Sequence, residues 1–129
     1  MKIIFTLLFI LCLGAVEAQT THSGSWTEVS HEVEGSWKII KEGTDLVLKF
    51  DDDFDTKKAP DLKIFLSKLT SDQVNKKNAT TGSALIAELK EYDGSQTFRI
   101  PKSIQISDYK TLLIHCEEYG VLWSVSSLK

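Results

Sequence analysis

Apolar side chains recur at every second position in several short segments of the chain. In TDLVLKF, Leu46, Leu48 and Phe50 fall on one face, while Val47 and Lys49 fall on the other. Such alternation, bounded by Gly, Asp, Asn and Pro, is typical of strands with one buried face. The pattern predicts an all-β fold, an antiparallel β-sandwich or a barrel-like single domain. The same pattern occurs in VEGSWKII, DLKIFLSKL, SQTFRI, TLLIHCEEY and VLWSVSSL.

The last two segments also predict which side chains share a buried face. Leu112, Ile114 and Cys116 are in phase, so His115 should point to the opposite face. In the final segment the predicted in-phase set comprises Val121, Trp123 and Val125. Elsewhere the pattern is ambiguous: SALIAELKEY suits a strand or a helix, and residues 71–78 suit a short helix or a polar loop.

The first 18 residues have the layout of a secretory signal peptide. Lys2 precedes an apolar run over residues 3–13, and Val16-Glu17-Ala18 forms a small-residue cleavage pattern before Gln19. The run is short of the ~20 residues that span a bilayer. We therefore expect a secreted chain, extracellular or periplasmic, with no membrane span.

The remainder of the chain divides by composition into two parts. Residues 19–30 are polar, rich in Ser and Thr, and are predicted to be a linker. Residues 31–129 carry the alternating segments and are predicted to form the β domain. The formal net charge of −3 gives no basic surface for nucleic acid or an anionic membrane. No Ser-His-Asp order, phosphate-binding loop or paired-histidine helix supports a conventional hydrolase.

The cysteines raise the main chemical question. The chain has two, Cys12 and Cys116, and cleavage after Ala18 removes the first. An exported chain usually oxidises its cysteines in pairs. Cys116 is therefore either a buried thiol acting as a small hydrophobe, a redox, haem-ligating or metal-ligating sulfur, or a bridge to a partner chain.

Histidines offer few partners for that sulfur. His31 opens the first strand of the predicted domain and would meet Cys116 only if the fold brings the two strands together. His22 and His115 are expected to be solvated or hydrogen-bonded. A zinc site normally needs four close ligands, and the sequence has no Cys-x-x-Cys spacing.

The main acidic cluster, FDDDFDTKKAPD, partly matches a calcium loop. Asp51, Asp53 and Asp55 occupy its first, third and fifth positions, but Thr56 and Leu62 stand where an EF-hand needs Gly and Glu. A looser calcium site remains as one interpretation. Its candidate ligands are Asp52, Asp53 and Asp61. The alternative is a solvated loop whose Asp side chains cap turns.

Four stretches in order resemble the DM-thirteen domain family, a secreted all-β module. HEVEGSWKI is similar to the family's His-x-Val-x-Gly opening strand, and LVLKFDDDFDTKKAPDLKIFLS to its Phe-x-Thr and Gly-Pro-Asp-Leu region. ALIAELKEYDGSQTFRIP is similar to its Gly-x-Gln-x-Tyr-x-Ile-Pro segment. ISDYKTLLIHCEEYGVLWSVSSL is similar to its cysteine-containing strand pair. The resemblance covers residues 31–128.

This resemblance implies electron transfer through a redox or haem-linked cysteine, together with a redox partner protein. It places the cysteine at Cys116, the opening histidine at His31, and the Pro-Asp pair at Pro60 and Asp61. The chain departs from the family where Ala59 replaces its Gly and His115 replaces its Trp. We therefore expect a redox or binding module rather than a stand-alone enzyme. The alternatives are an extracellular adhesion module with a buried structural Cys116, and an accessory subunit bridged to its partner through Cys116.

Overall fold

A computed structural model describes residues 19–128. The predicted signal peptide and Cys12 lie outside the described residues. Eleven strands and one short 3-10 turn, Ile106–Asp108, make up the regular structure of this part of the chain. The strands are β1 (Gln19–Ser25), β2 (Thr27–Glu28), β3 (Val33–Glu34), β4 (Ser36–Glu42), β5 (Asp45–Phe50), β6 (Asp55–Thr56), β7 (Leu62–Ser67), β8 (Ala84–Glu88), β9 (Gln96–Arg99), β10 (Thr111–Cys116) and β11 (Val121–Ser127).

The strands form two main sheets with antiparallel pairing throughout. One has the order β1-β4-β5-β9 and the other the order β2-β11-β10-β7-β8, while β3 and β6 form a separate ribbon. Their inner faces enclose one large apolar core, to which both sheets contribute. The prediction of an all-β, sandwich-like single domain is confirmed.

The alternating segments supply this core as the sequence pattern predicts. Ile39 of β4 and Leu48 of β5 are fully buried on one side of it, and Ile64 of β7 and Ile114 of β10 on the other. Fully burying such a side chain contributes about 1.5–3 kcal/mol relative to leaving it exposed. The two ambiguous segments are settled as well: SALIAELKEY contains strand β8, and residues 71–78 form turns.

The last strand departs from simple alternation. Ile114 pairs with Ser124 and His115 with Leu122, so Trp123 is an extra residue, a β-bulge, in β11. The bulge changes which side chains face inward. Trp123 lies in the main core, whereas Val125 packs in a second cluster on the outer face of the sheet. The prediction that Trp123 and Val125 share a face is therefore wrong.

That second cluster also explains why the outer face of the β10–β11 region is apolar. Leu113, Leu122 and Val125 meet Val74 and Ala79, which come from the loop between β7 and β8. The loop thus covers part of the sheet and gives both faces of β10 a buried environment.

The segment 19–30, predicted to be a polar linker, instead contains β1 and β2. β1 pairs along β4 at the edge of its sheet and is largely exposed, so its side chains need no apolar alternation. Gly24 fits closely against Trp37, since a Cβ there would lie 2.9 Å from Trp37 Cζ2. Backbone pairing and this close approach hold the strand in place without an apolar face.

No helix among the described residues is long and apolar enough to cross a membrane.

Candidate functional site

Cys116 is the last residue of β10 and lies between two neighbouring strands. Its Cα partners are Leu62 on β7 and Val121 on β11. The side chain is 1% exposed and belongs to the main core. Its Sγ donates a hydrogen bond to the carbonyl oxygen of Pro60 at 3.2 Å. The residue is therefore both packed in apolar surroundings and fixed by a polar contact.

The segment that supplies this carbonyl, residues 59–61, is called here the capping segment. It is held at both ends: Tyr92 donates its hydroxyl to Ala59 O at 2.7 Å, and the backbone N–H of Glu117 donates to Asp61 O at 3.0 Å. Asp61 has a φ of 57°, a left-handed conformation that is uncommon for a residue other than glycine. Pro60 itself is exposed, so the residue whose carbonyl contacts the Cys116 sulfur also meets solvent.

His31 packs against a tryptophan, whereas the Cys116 sulfur has Pro60 O as its hydrogen-bond partner. Its ring stacks on Trp123 with a centroid separation of 3.8 Å and an interplanar angle of 29°. Its backbone N–H donates to Trp123 O at 3.2 Å, and Ser124 Oγ donates to His31 O at 2.7 Å. On the far side, Trp123 Nε1 donates to Thr56 Oγ1 at 2.8 Å, which in turn donates to Glu32 O at 2.9 Å.

Cys116 and His31 are thus linked indirectly, through Trp123 and the core. Val121, the partner of Cys116, lies two residues before Trp123 on β11, and Cys116 and Trp123 belong to one cluster. The stacking of Trp123 on His31 was missed at the sequence level, because alternation indicates the face on which a side chain lies but not its partner from another part of the chain. The sequence did draw attention to Pro60, since the family resemblance includes Pro60 and Asp61 as well as Cys116.

The other two histidines are hydrogen-bonded, as expected. His115 is buried on the opposite face from Cys116, where its Nδ1 lies 2.9 Å from Glu117 Oε1. His22 Nδ1 lies 3.0 Å from Thr21 Oγ1.

A cleft of about 340 Å³ opens beside His31. Its lining is strongly acidic: Glu28, Ser30, His31, Glu32, Glu34, Asp55, Thr56 and Lys57. A haem occupies a mostly apolar pocket with an axial ligand that projects into it. The residues present do not fit a haem. Four carboxylates lie beside His31, and the Cys116 sulfur is enclosed in the core with Pro60 O as its partner.

The three candidate calcium ligands are divided between two places. Asp52 and Asp53 lie in the loop after β5, where Asp53 Oδ1 lies 3.5 Å from the backbone nitrogen of Ser36. Asp61 lies in the capping segment, 3.4 Å from Lys63 Nζ. Across residues 19–128 the structure holds no group of three or more His, Cys, Asp or Glu side chains close enough to share a metal ion. The calcium site predicted from the sequence is untested, and the separation of its three candidate ligands leads us to expect no binding.

Comparison with known proteins identifies the family. No curated protein and no solved structure matches the chain. The family described as "Electron transfer DM13" matches residues 25–125. The matched region includes Cys116, His31, the capping segment and Trp123. All residues of the candidate site therefore lie within the region that the family covers. The chain belongs to the electron transfer DM13 family.

Proposed function

We propose that this chain is an exported electron-transfer domain in which Cys116 is the redox group and residues 59–61 control access to it. The observation that carries the proposal is the hydrogen bond from Cys116 Sγ to Pro60 O at 3.2 Å. It joins the cysteine to the Pro-Asp pair, two parts of the family resemblance that lie 56 residues apart in sequence. The signal-peptide pattern of residues 1–18 supports export.

In the closed arrangement the thiol is protected. Sγ donates to a carbonyl oxygen, and the surrounding core side chains exclude water. Thiol exchange requires access of the cysteine sulfur to another sulfur. Release of Pro60 O from Sγ, by movement of the exposed capping segment, would provide that access.

The reaction that suits one cysteine is exchange with a partner's disulfide. The Cys116 sulfur attacks one sulfur of the partner's disulfide and forms a new S–S bond to it. The partner's S–S bond breaks, and its second sulfur leaves as a thiolate that takes up the proton released from Cys116. A thiol of a second protein then attacks the partner's sulfur in this mixed disulfide: a new S–S bond joins the second protein to the partner, the bond to Cys116 breaks, and the Cys116 sulfur leaves as a thiolate that takes up the proton of the attacking thiol. Electrons thereby pass from the second protein's thiol to the partner's disulfide. No cofactor is needed for this step, and the partner is a protein that carries a pair of cysteines.

The test is to incubate the folded protein with a small aromatic disulfide and to measure intact mass. The proposal predicts one adduct on Cys116 under native conditions, and its removal by a reducing agent. A Cys116→Ser variant is the matched control and should form none. Absence of an adduct in the wild type until denaturant is added would overturn the proposal. N-terminal sequencing of protein collected outside the producing cell tests export separately.

A second function is supported by the same burial. Cys116 is 1% exposed in the core, and free cysteine often serves as a small buried hydrophobe. The chain would then be a non-enzymatic extracellular binding module with an inert thiol. This alternative predicts that Cys116 reacts only at the rate at which the whole domain unfolds.

A further inference from the structure

Gln19 begins strand β1 and is also the residue that follows the signal-peptide cleavage pattern. We propose that Gln19 is a modification site, whose α-amine and side-chain amide cyclise to a pyroglutamyl ring in the exported chain. The inference rests on the proposed export, since cleavage after Ala18 is what leaves Gln19 with a free α-amine.

The reaction needs only groups of the residue itself. The neutral α-amine attacks the side-chain amide carbon, and a new C–N bond closes a five-membered lactam. The bond between that carbon and the amide nitrogen breaks, and the nitrogen leaves as ammonia after taking up the proton lost by the amine. No oxidant, reductant or cofactor takes part, and the terminal positive charge disappears.

The position of Gln19 in the fold favours this product. The residue is exposed, so its side chain has room to reach its own backbone nitrogen. Its Cα partner on β4 is Lys41, which is also exposed and forms no ion pair among the described residues. A terminal ammonium at this end of β1 would add a second positive charge near Lys41. The neutral lactam removes that charge and with it the repulsion between the two groups.

The experiment uses the full chain expressed with its own leader and collected after export. Folded protein is first treated with an amine-labelling reagent, then digested, and the N-terminal peptide is identified by mass spectrometry. Labelling before digestion distinguishes a lactam already present from one formed during sample handling. The matched control is a Gln19→Ser variant, which cannot cyclise, and internal lysines report that the reagent was active.

The expected result is a peptide that begins at Gln19, lacks one ammonia and carries no N-terminal label, whereas the Gln19→Ser peptide carries the label. A peptide that begins at Gln19 and is labelled would overturn the modification while leaving the export proposal intact. A peptide that begins at another residue would overturn both the cleavage position and the inference that depends on it.

Discussion

Cys116 Sγ and the carbonyl oxygen of Pro60 lie 3.2 Å apart, although 56 residues separate them in the chain. This contact gives the cysteine a specific polar partner inside an apolar core. In the proposed mechanism, reaction of the sulfur requires movement of residues 59–61. The predictions below test this site and the packing that supports it.

Replacing Cys116 should destabilise the domain. Cys116→Ala removes the donor to Pro60 O and leaves a small cavity, and we expect a loss of about 1–3 kcal/mol in the free energy of unfolding. Cys116→Ser keeps a donor but buries a more polar group among core side chains, and it should also lose stability. Urea denaturation measures both. Unchanged stability in the two variants would contradict the packing described for this site.

The stability of the packing around Trp123, which stacks on His31, should depend on the hydroxyl of Thr56. Thr56→Val keeps the shape of the side chain but leaves Trp123 Nε1 without its acceptor, and a buried unsatisfied donor costs about 1–3 kcal/mol. Thr56→Ser retains the hydroxyl and should recover most of that loss. Thermal unfolding of the three proteins provides the comparison. Equal loss in both variants would show that the methyl group, and not the hydroxyl, supports the site.

Replacing Gly35 should destabilise the domain far more than replacing Gly43, although both glycines have positive φ. At Gly35 φ is 95°, and an added Cβ would lie 2.8 Å from the backbone nitrogen of Phe54. At Gly43 φ is 61°, and an added Cβ would meet nothing within 4 Å. We expect Gly43→Ala to cost about 1 kcal/mol from backbone conformation alone, and Gly35→Ala to cost at least ~2 kcal/mol more because the chain must also move. Similar unfolding free energies for the two variants would be inconsistent with the close approach at Gly35.

Calcium should have no effect on thermal stability. Asp61 is paired with Lys63, and Asp52 and Asp53 lie with the loop after β5, so the three carboxylates do not converge on one site. A ligand that binds only the folded state raises its stability. Melting temperatures measured with excess calcium and with chelator should coincide. A higher melting temperature in calcium would restore the acidic loop as a metal site.

Sequence patterns predicted the strands that line the core, because the core side chains of each strand, such as Leu48 in β5, Ile64 in β7 and Ile114 in β10, recur at every second position. The same argument failed at two places for physical reasons. β1 is held by backbone pairing with β4 and by the fit of Gly24 against Trp37, neither of which requires an apolar pattern. In β11 one inserted residue reverses the phase, so Val125 turns away from the face that Trp123 occupies.

The site was predictable only in part for a related reason. Alternation placed Cys116 with Leu112 and Ile114, and the family resemblance singled out Pro60 and Asp61. Neither could pair the sulfur with the Pro60 carbonyl, because that contact involves a backbone atom whose position depends on the left-handed turn at Asp61. The partner of His31 was likewise not predictable, since Trp123 comes from a strand 92 residues away in the chain and alternation does not pair strands.

The central claim is that the capping segment opens over Cys116 without unfolding of the domain. The most direct measurement is the rate at which a thiol reagent labels Cys116 in the folded protein, compared with the rate of global unfolding. Tyr92→Phe removes the hydroxyl that holds Ala59 O and should cost only about 0.5–1.5 kcal/mol. Tyr119→Phe, at a side chain that is 67% exposed, is the matched control.

The account predicts that wild-type Cys116 is labelled faster than the domain unfolds. It also predicts that Tyr92→Phe accelerates labelling more than it accelerates unfolding, whereas Tyr119→Phe changes neither rate. Labelling that equals the unfolding rate in all three proteins would contradict the account and leave Cys116 as a structural thiol.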